Sequence, residues 1–389
     1  MPDTARNDLL ASAQALAPKI RAAREEVEQL RRLPDHLVQA LEAAGFLQLN
    51  LPKSLGGVET DPITSYLVIE ELSKADGSVG WCSFLSSGTS LLLGWLPTSA
   101  ALEMVGLPAR VRGAGSLRPE GEATIVDGGY RVSGRWDFGS GVDHANWIMC
   151  TCKVVNANGP AMRPNGVQNT RTFFVPKKSV TVHDVWTVLG MRGTGSNDFS
   201  LDDVFVPSER SFSIDEDPYE TGPLFNRRLV MVNIWSTNAA NALGVARGAM
   251  DAFIELASTS GSTRSTALLR DRAPLQMAVG KAEAVIGAAR SYVLDAIRTA
   301  WEAVCDGVPD PGPQIAQGRL AITYAIQESA RAVYMLFHAA GTNAIHREHQ
   351  LERRFRDVHV AATHIAGLSQ NIETGGKILL GYPSDATGW

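Results

Sequence analysis

The sequence predicts an α+β protein in which a helical N-terminal part, a β-rich middle and a long helical C-terminal part follow one another. Three observations predict it. Up to about Met104, apolar residues recur at three- and four-residue steps, as in Leu9, Leu10, Ala13, Leu16 and Ile20. Between about Pro108 and Phe212 the pattern shifts to short strand-like runs separated by Gly, Asn and Pro. From Leu229 onward the helical period returns in long, alanine-rich segments. At 389 residues the chain exceeds the size at which one core keeps growing, so two or three subdomains are expected, and the changes of pattern place three units over 1–107, 108–212 and 213–389.

In the first unit, Thr60-Asp61-Pro62 supplies an N-cap and a first-turn proline for a helix carrying Ile63, Tyr66, Leu67, Glu70 and Glu71. In the second, Thr124-Ile125-Val126, Asp127-Gly128-Gly129 and Tyr130-Arg131-Val132 read as strand, tight turn, strand. Further strands are expected over 147–154, 172–175, 180–185 and 199–206. The Asn-, Gly- and Pro-rich run from Asn156 to Asn169 reads as a mobile surface loop. The third unit should hold four long helical segments near 229–257, 271–305, 313–340 and 347–376, packed as an antiparallel bundle.

Composition removes several function classes. The net charge of −5 is mild and implies no basic face for nucleic acid. The longest apolar stretches stop well short of the ~18 residues a membrane span requires. The first residues show no basic start followed by an apolar core, so a secretory signal is not expected and a cytoplasmic protein is. The four cysteines show no metal-ligand spacing; Cys150-Thr-Cys152 puts two thiols on one strand face, and buried free thiols are expected. No metal site is expected, and no GxGxxG turn opens a helix to serve a nicotinamide.

Two segments carry chemistry. Ser133-Gly-Arg-Trp-Asp-Phe-Gly-Ser-Gly141 follows a strand, and places a hydroxyl among glycines next to an aromatic, an arrangement that can meet a planar ligand at its edge and face. A turn with a packing aromatic has the same pattern. About fifty residues on, Leu189-Gly-Met-Arg-Gly-Thr-Gly-Ser196 leads into a strand ending in Val204-Phe-Val-Pro207. Together these resemble the paired signatures of the acyl-CoA dehydrogenase superfamily, and the α, β, α order agrees with that family's architecture: an N-terminal helical domain, a β-barrel-like middle domain and a C-terminal four-helix bundle. Ala339-Ala-Gly341 and Arg353-Arg-Phe-Arg-Asp357 extend the resemblance over nearly the whole chain.

The resemblance implies a flavin site. Phe138 and Ser140 would hold the isoalloxazine, with the Ser140 hydroxyl near flavin N5, and Arg192, Thr194 and Ser196 of the second segment would line the same cofactor. Arg272 and Gln276, an RxxxxQ pattern opening a long helix, resemble residues that reach the flavin phosphates of a neighbouring subunit; a solvated charged face has the same spacing. A homotetramer is implied as well.

The stretch after Arg356-Asp357 bears on which branch of the superfamily the chain resembles; some dehydrogenase branches place their base elsewhere, so it counts against that branch without excluding it. Dehydrogenases of this fold use a carboxylate base, in many of them a glutamate placed where Ile365 stands, and no Asp or Glu occurs from Val358 to Asn371. His359 and His364 occupy this stretch instead. Arg-Asp-x-His-x4-His, with Gly80-Trp81 after Ala75-Asp-Gly-Ser78, resembles the two-component flavin monooxygenases of the same fold. A further histidine that some members carry has no counterpart here, since the region from Phe84 to Ser90 offers only serines and a threonine as polar side chains.

The expectation is therefore an enzyme that takes reduced flavin, FMN or FAD, from a separate NAD(P)H:flavin reductase and uses O2, through a C4a-(hydro)peroxide, to hydroxylate a small aromatic or heteroaromatic substrate. Ser140 and His364 are the candidate catalytic groups and His359 a lesser one; an imidazole titrating near ~6.5 can manage a proton at neutral pH. An acyl-CoA dehydrogenase or oxidase, N- or S-oxygenation of a small molecule, and a non-catalytic scaffold keeping the fold are the alternatives.

Overall fold

A computed structural model of the chain describes residues 3–106, 108–262 and 265–382. Six helices come first: α1 Asp3–Ala22, α2 Arg24–Leu30, α3 Asp35–Ala43, α4 Pro62–Ala75, α5 Gly77–Leu92 and α6 Thr98–Val105. Eight strands follow: β1 Gly113–Val126, β2 Gly129–Gly139, β3 Trp147–Asn156, β4 Gly159–Pro160, β5 Thr170–Pro176, β6 Thr181–His183, β7 Asn197–Pro207 and β8 Ser211–Phe212. Then come α7 Val230–Thr259, α8 Ala273–Cys305, α9 Gly312–Ala340, α10 Gln350–Ala361 and α11 Gln370–Leu379, with two short strands between α7 and α8.

Caps set the helix starts that position the site. Asp61 accepts from Thr64 N at 2.9 Å, with Pro62 opening α4. Asp76 accepts from Ser78 N and Val79 N to start α5. Each cap is worth ~1 kcal/mol. The two helices then pack closely, because a Cβ added at Gly80 would sit 1.8 Å from Ser73 Oγ. This contact fixes the rotation of α5 and with it the next side chain, Trp81.

The eight strands form one sheet, in the order β6-β7-β2-β1-β3-β5-β8 with β4 beside β3. All pairs are antiparallel except β1 with β3. Alternation along β3 and β5 divides the sheet's faces: Met149 and Phe174 join Leu92, Trp95 and Phe225 in a core under the helices, while Ile148, Phe173 and Val175 pack with Trp136 and Phe199 on the other side. The expected loop from Asn156 to Asn169 is partly structured. Its β4 pairs with β3, and Met162 bridges Gln168.

Of the cysteines, Cys82, Cys150 and Cys152 are buried free thiols as expected, but Cys305 is exposed at the end of α8. Among the described residues no helix is long and apolar enough to cross a membrane.

The fourth C-terminal segment departs from expectation. Instead of one helix over 347–376, α10 stops at Ala361, a 3-10 turn spans Ile365–Gly367, and α11 starts at Gln370. Side chains satisfy the carbonyls that the break frees. Thr323 Oγ1 donates to Ala366 O at 2.8 Å, Gln327 Nε2 to Gly367 O at 2.9 Å, and Asn371 Nδ2 to Ile365 O at 2.9 Å.

Candidate active site

The bulge near the end of β2 builds the first wall. Trp136 pairs with Phe199 and Gly139 with Asn197, so β2 carries one extra residue in this interval, and Phe138 within it adopts a left-handed φ of 58°. A non-glycine residue held there is sterically costly, so the surrounding structure must impose the conformation. Its ring remains 54% exposed, with Trp186 edge-on at 6.2 Å and the Arg118 guanidinium 5.8 Å from its centroid.

The second wall is the turn from Leu189 to Ser196. Met191 is also left-handed, with φ 54°. Its peptide is held at both ends: the amide donates to Asp357 Oδ1 at 2.6 Å, and the carbonyl accepts from Trp186 Nε1 at 3.1 Å and from Thr194 Oγ1 at 2.8 Å. Gly190 is required beneath it, since a Cβ there would meet the Arg356 carbonyl carbon at 2.4 Å. Thus α10, through Arg356 and Asp357, braces the turn. Burial raises Asp357 to about 6 although Arg353 and Arg354 oppose the shift.

Between the walls lies a row of buried hydroxyls. Ser140 Oγ and Ser196 Oγ are 2.6 Å apart, as are Ser196 Oγ and Thr194 Oγ1, and Trp81 Nε1 donates to Ser140 Oγ at 3.2 Å. All three hydroxyl residues are at most 5% exposed.

The Trp81 indole continues the row to His364, whose ring lies edge-on to Trp81 at 5.5 Å and to Trp235 at 6.3 Å. His364 is not on a helix; it caps the 3-10 turn in the break, its Nδ1 accepting from Ala366 N at 3.2 Å. Burial among apolar rings pulls its pKa down to about 4. The imidazole is therefore neutral at neutral pH, and because Nδ1 accepts, its proton sits on Nε2. His364 is prepared to donate a hydrogen bond rather than to act as a base.

The structure thus brings together Phe138, Ser140, Thr194, Ser196 and His364, and leaves four other candidates aside. His359 Nδ1 lies 2.7 Å from Phe355 O one turn back, and the ring packs on Phe355, itself stacked on Phe337. That is helix packing away from the hydroxyl row. The Arg192 guanidinium turns to Glu28, at 3.2 Å. Arg272 and Gln276 are exposed at the start of α8, where Gln276 Nε2 donates to Arg270 O; neither shares a hydrogen bond with the row within this chain. Sequence reasoning missed Trp235, Trp186 and Asp357 as parts of the site. The Arg-Asp pair was the available signal for Asp357; the tryptophans had none.

These walls fit a flavin. A planar ring system can lie against the exposed Phe138 face, and Ser140 can meet a polar edge. The comparisons agree: residues 6–96 match the acyl-CoA dehydrogenase N-terminal domain and residues 236–368 its C-terminal domain. The chain belongs to the acyl-CoA dehydrogenase superfamily, in its branch of two-component flavin-dependent monooxygenases. Among similar proteins, the flavin-dependent monooxygenase oxygenase subunit HsaA of Rhodococcus jostii (strain RHA1) is 30% identical over 90% of this chain and 92% of its own. The indole-3-acetate monooxygenase of Pseudomonas putida is 31% identical over 88% and 86%. The structure of XiaF from Streptomyces sp. in complex with FADH2 and glycerol superposes with a TM-score of 0.89 at 28% identity, covering 98% of this chain and 97% of that one.

Proposed function

We propose that this chain is the oxygenase component of a two-component system: it binds reduced FAD or FMN delivered by a separate flavin reductase and inserts one atom of O2 into a small aromatic substrate. The observation that carries this reading is the buried hydroxyl row ending on Ser140 beside Trp81 and a neutral His364, in a chain with no carboxylate from Val358 to Asn371.

When bound, reduced flavin supplies the electrons that activate O2. The chain's own residues would do the rest. Phe138 would cover one ring face of the flavin, and Ser140 would meet its N5 edge. Trp81 and Trp235 wall off water around His364, which strengthens each polar contact made there. His364 Nε2–H, held in that tautomer by Ala366 N–H, would donate to oxygen where negative charge develops on the substrate or on the oxygen being transferred. Arg272 and Gln276, left exposed on α8, would complete the phosphate end of a flavin site across a subunit boundary. Exposed apolar side chains on the C-terminal helices support an oligomer, among them Met277, Tyr334, Leu379 and Leu380. We propose that this oligomer is a tetramer.

The alternative, an acyl-CoA dehydrogenase, needs a carboxylate base, and the position that holds it in many dehydrogenases of this fold is Ile365 here. The test is reconstitution. The pure protein should turn over no NADH, and adding an unrelated NADH:flavin reductase with free FAD or FMN should start oxygenation of a phenol or indole panel. Direct NADH oxidation by the pure chain, or bleaching of bound flavin by an acyl-CoA without reductase, would overturn the proposal.

A further inference from the structure

We propose that Ser196 and Thr194 make this site selective for reduced over oxidised flavin, by fixing Ser140 as a hydrogen-bond acceptor. The proposal rests on the reading above that Ser140 meets flavin N5, and adds to it a direction.

The direction follows from counting hydrogens. Met191 O can only accept, and it lies 2.8 Å from Thr194 Oγ1, so Thr194 must spend its single hydrogen there; otherwise two oxygens would face each other at that distance without a proton between them. Thr194 Oγ1 can then only accept from Ser196, and Ser196 Oγ only from Ser140, at 2.6 Å each. At the other end Trp81 Nε1 can only donate, and it does so to Ser140 Oγ. The row is polarised from Trp81 through Ser140, Ser196 and Thr194 to the Met191 carbonyl. Ser140 is left with one lone pair and no free hydrogen.

Reduced flavin carries a hydrogen on N5 and oxidised flavin a lone pair. The first can donate to Ser140; the second would face lone pair to lone pair. Reversing the row to accommodate oxidised flavin would turn three hydroxyls and leave the 2.8 Å contact at Met191 O without its hydrogen. The anchor is stiff, because Met191 is held in its left-handed conformation by Asp357 and its carbonyl is shared with Trp186. A product flavin that has lost its N5 hydrogen would likewise be disfavoured, which suits a protein that must exchange flavin with a reductase.

The experiment is equilibrium binding without turnover: anaerobic titration with reduced and with oxidised FMN and FAD, for the native protein and for Ser196→Ala, Thr194→Val and Thr194→Ser. The native protein should bind the reduced form at least ~10-fold tighter, the order expected for exchanging a made for an unmade buried hydrogen bond. Ser196→Ala frees the Ser140 hydrogen to turn outward, so the ratio should fall several-fold, mainly through tighter binding of oxidised flavin. Thr194→Val should act the same way, while Thr194→Ser, which keeps the hydroxyl, should restore the native ratio. If the native protein binds both forms equally, or Ser196→Ala and Thr194→Val leave its ratio unchanged, the polarity proposal is overturned while the flavin reading stands. Binding of neither form by the native protein would overturn both.

Discussion

The proposed mechanism concentrates the chemistry in a single proton, that of His364. Its candidate role was legible in the sequence from the position next to Ile365 and the missing acid. Its tautomer was not, because that depends on the Ala366 amide and on rings contributed by α5 and α7. His364→Ala should lower coupled product formation ~10²–10³-fold, the usual worth of a placed hydrogen-bond donor or acid. Reduced flavin should still bind and be oxidised, so hydrogen peroxide should replace product, measured as the product-to-peroxide ratio. His359→Ala should leave that ratio unchanged; if it collapses instead, the choice of histidine is wrong.

The two histidines enclosed by the fold also make a statement about acid stability. His364 and His144 are each pulled down to about 4 by burial, below the usual 6.5. The unfolded chain therefore binds more protons between pH 6.5 and 4, and stability falls as pH is lowered through that window. Asp357, raised to about 6, acts oppositely: its contribution to stability is present below about pH 3.8 and is lost as pH rises through 6. Thermal unfolding should consequently show a Tm that drops on acidification from pH 6.5 to 6, and His144→Gln should flatten that slope. A slope unchanged by His144→Gln would contradict the burial assigned to this ring.

At the scale of elements, the broken last helix is what places His364, in a continuous helical pattern of sequence, as the cap of a 3-10 turn where the proposed mechanism needs a donor. The sequence hid the break because helical periodicity runs across it. The side chains that stabilise it, Thr323 and Gln327, lie 43 and 40 residues upstream of the carbonyls they satisfy. By contrast Asp61-Pro62 and the Asp127-Gly128 turn were readable, since a cap and a tight turn are local. Thr323→Val should orphan the Ala366 carbonyl, at a cost of ~1–3 kcal/mol in urea unfolding. It should also uncouple oxygenation, because the turn that orients His364 loosens. Loss of stability with full coupling would show that the turn does not position the imidazole.

For the whole molecule, α–β–α order and the paired loops sufficed to place the chain in its superfamily. On the proposed reading the far end of the flavin site is completed by a second copy, through Arg272 and Gln276, which stand exposed at the start of α8. Sedimentation equilibrium should give a tetramer, and Arg272→Ala should weaken reduced-flavin binding without dissociating it. A monomer with native flavin affinity would refute the shared site.

Oxygen labelling reaches the central claim most directly. Chemically reduced FAD or FMN, with no reductase and no NADH present, is mixed with the protein, an aromatic substrate panel and 18O2. The expected result is one labelled oxygen in the product per turnover, and none when the flavin is added oxidised. Product oxygen drawn from water, or flavin reoxidation that yields only hydrogen peroxide with every aromatic tried while an acyl-CoA bleaches oxidised flavin, would contradict it.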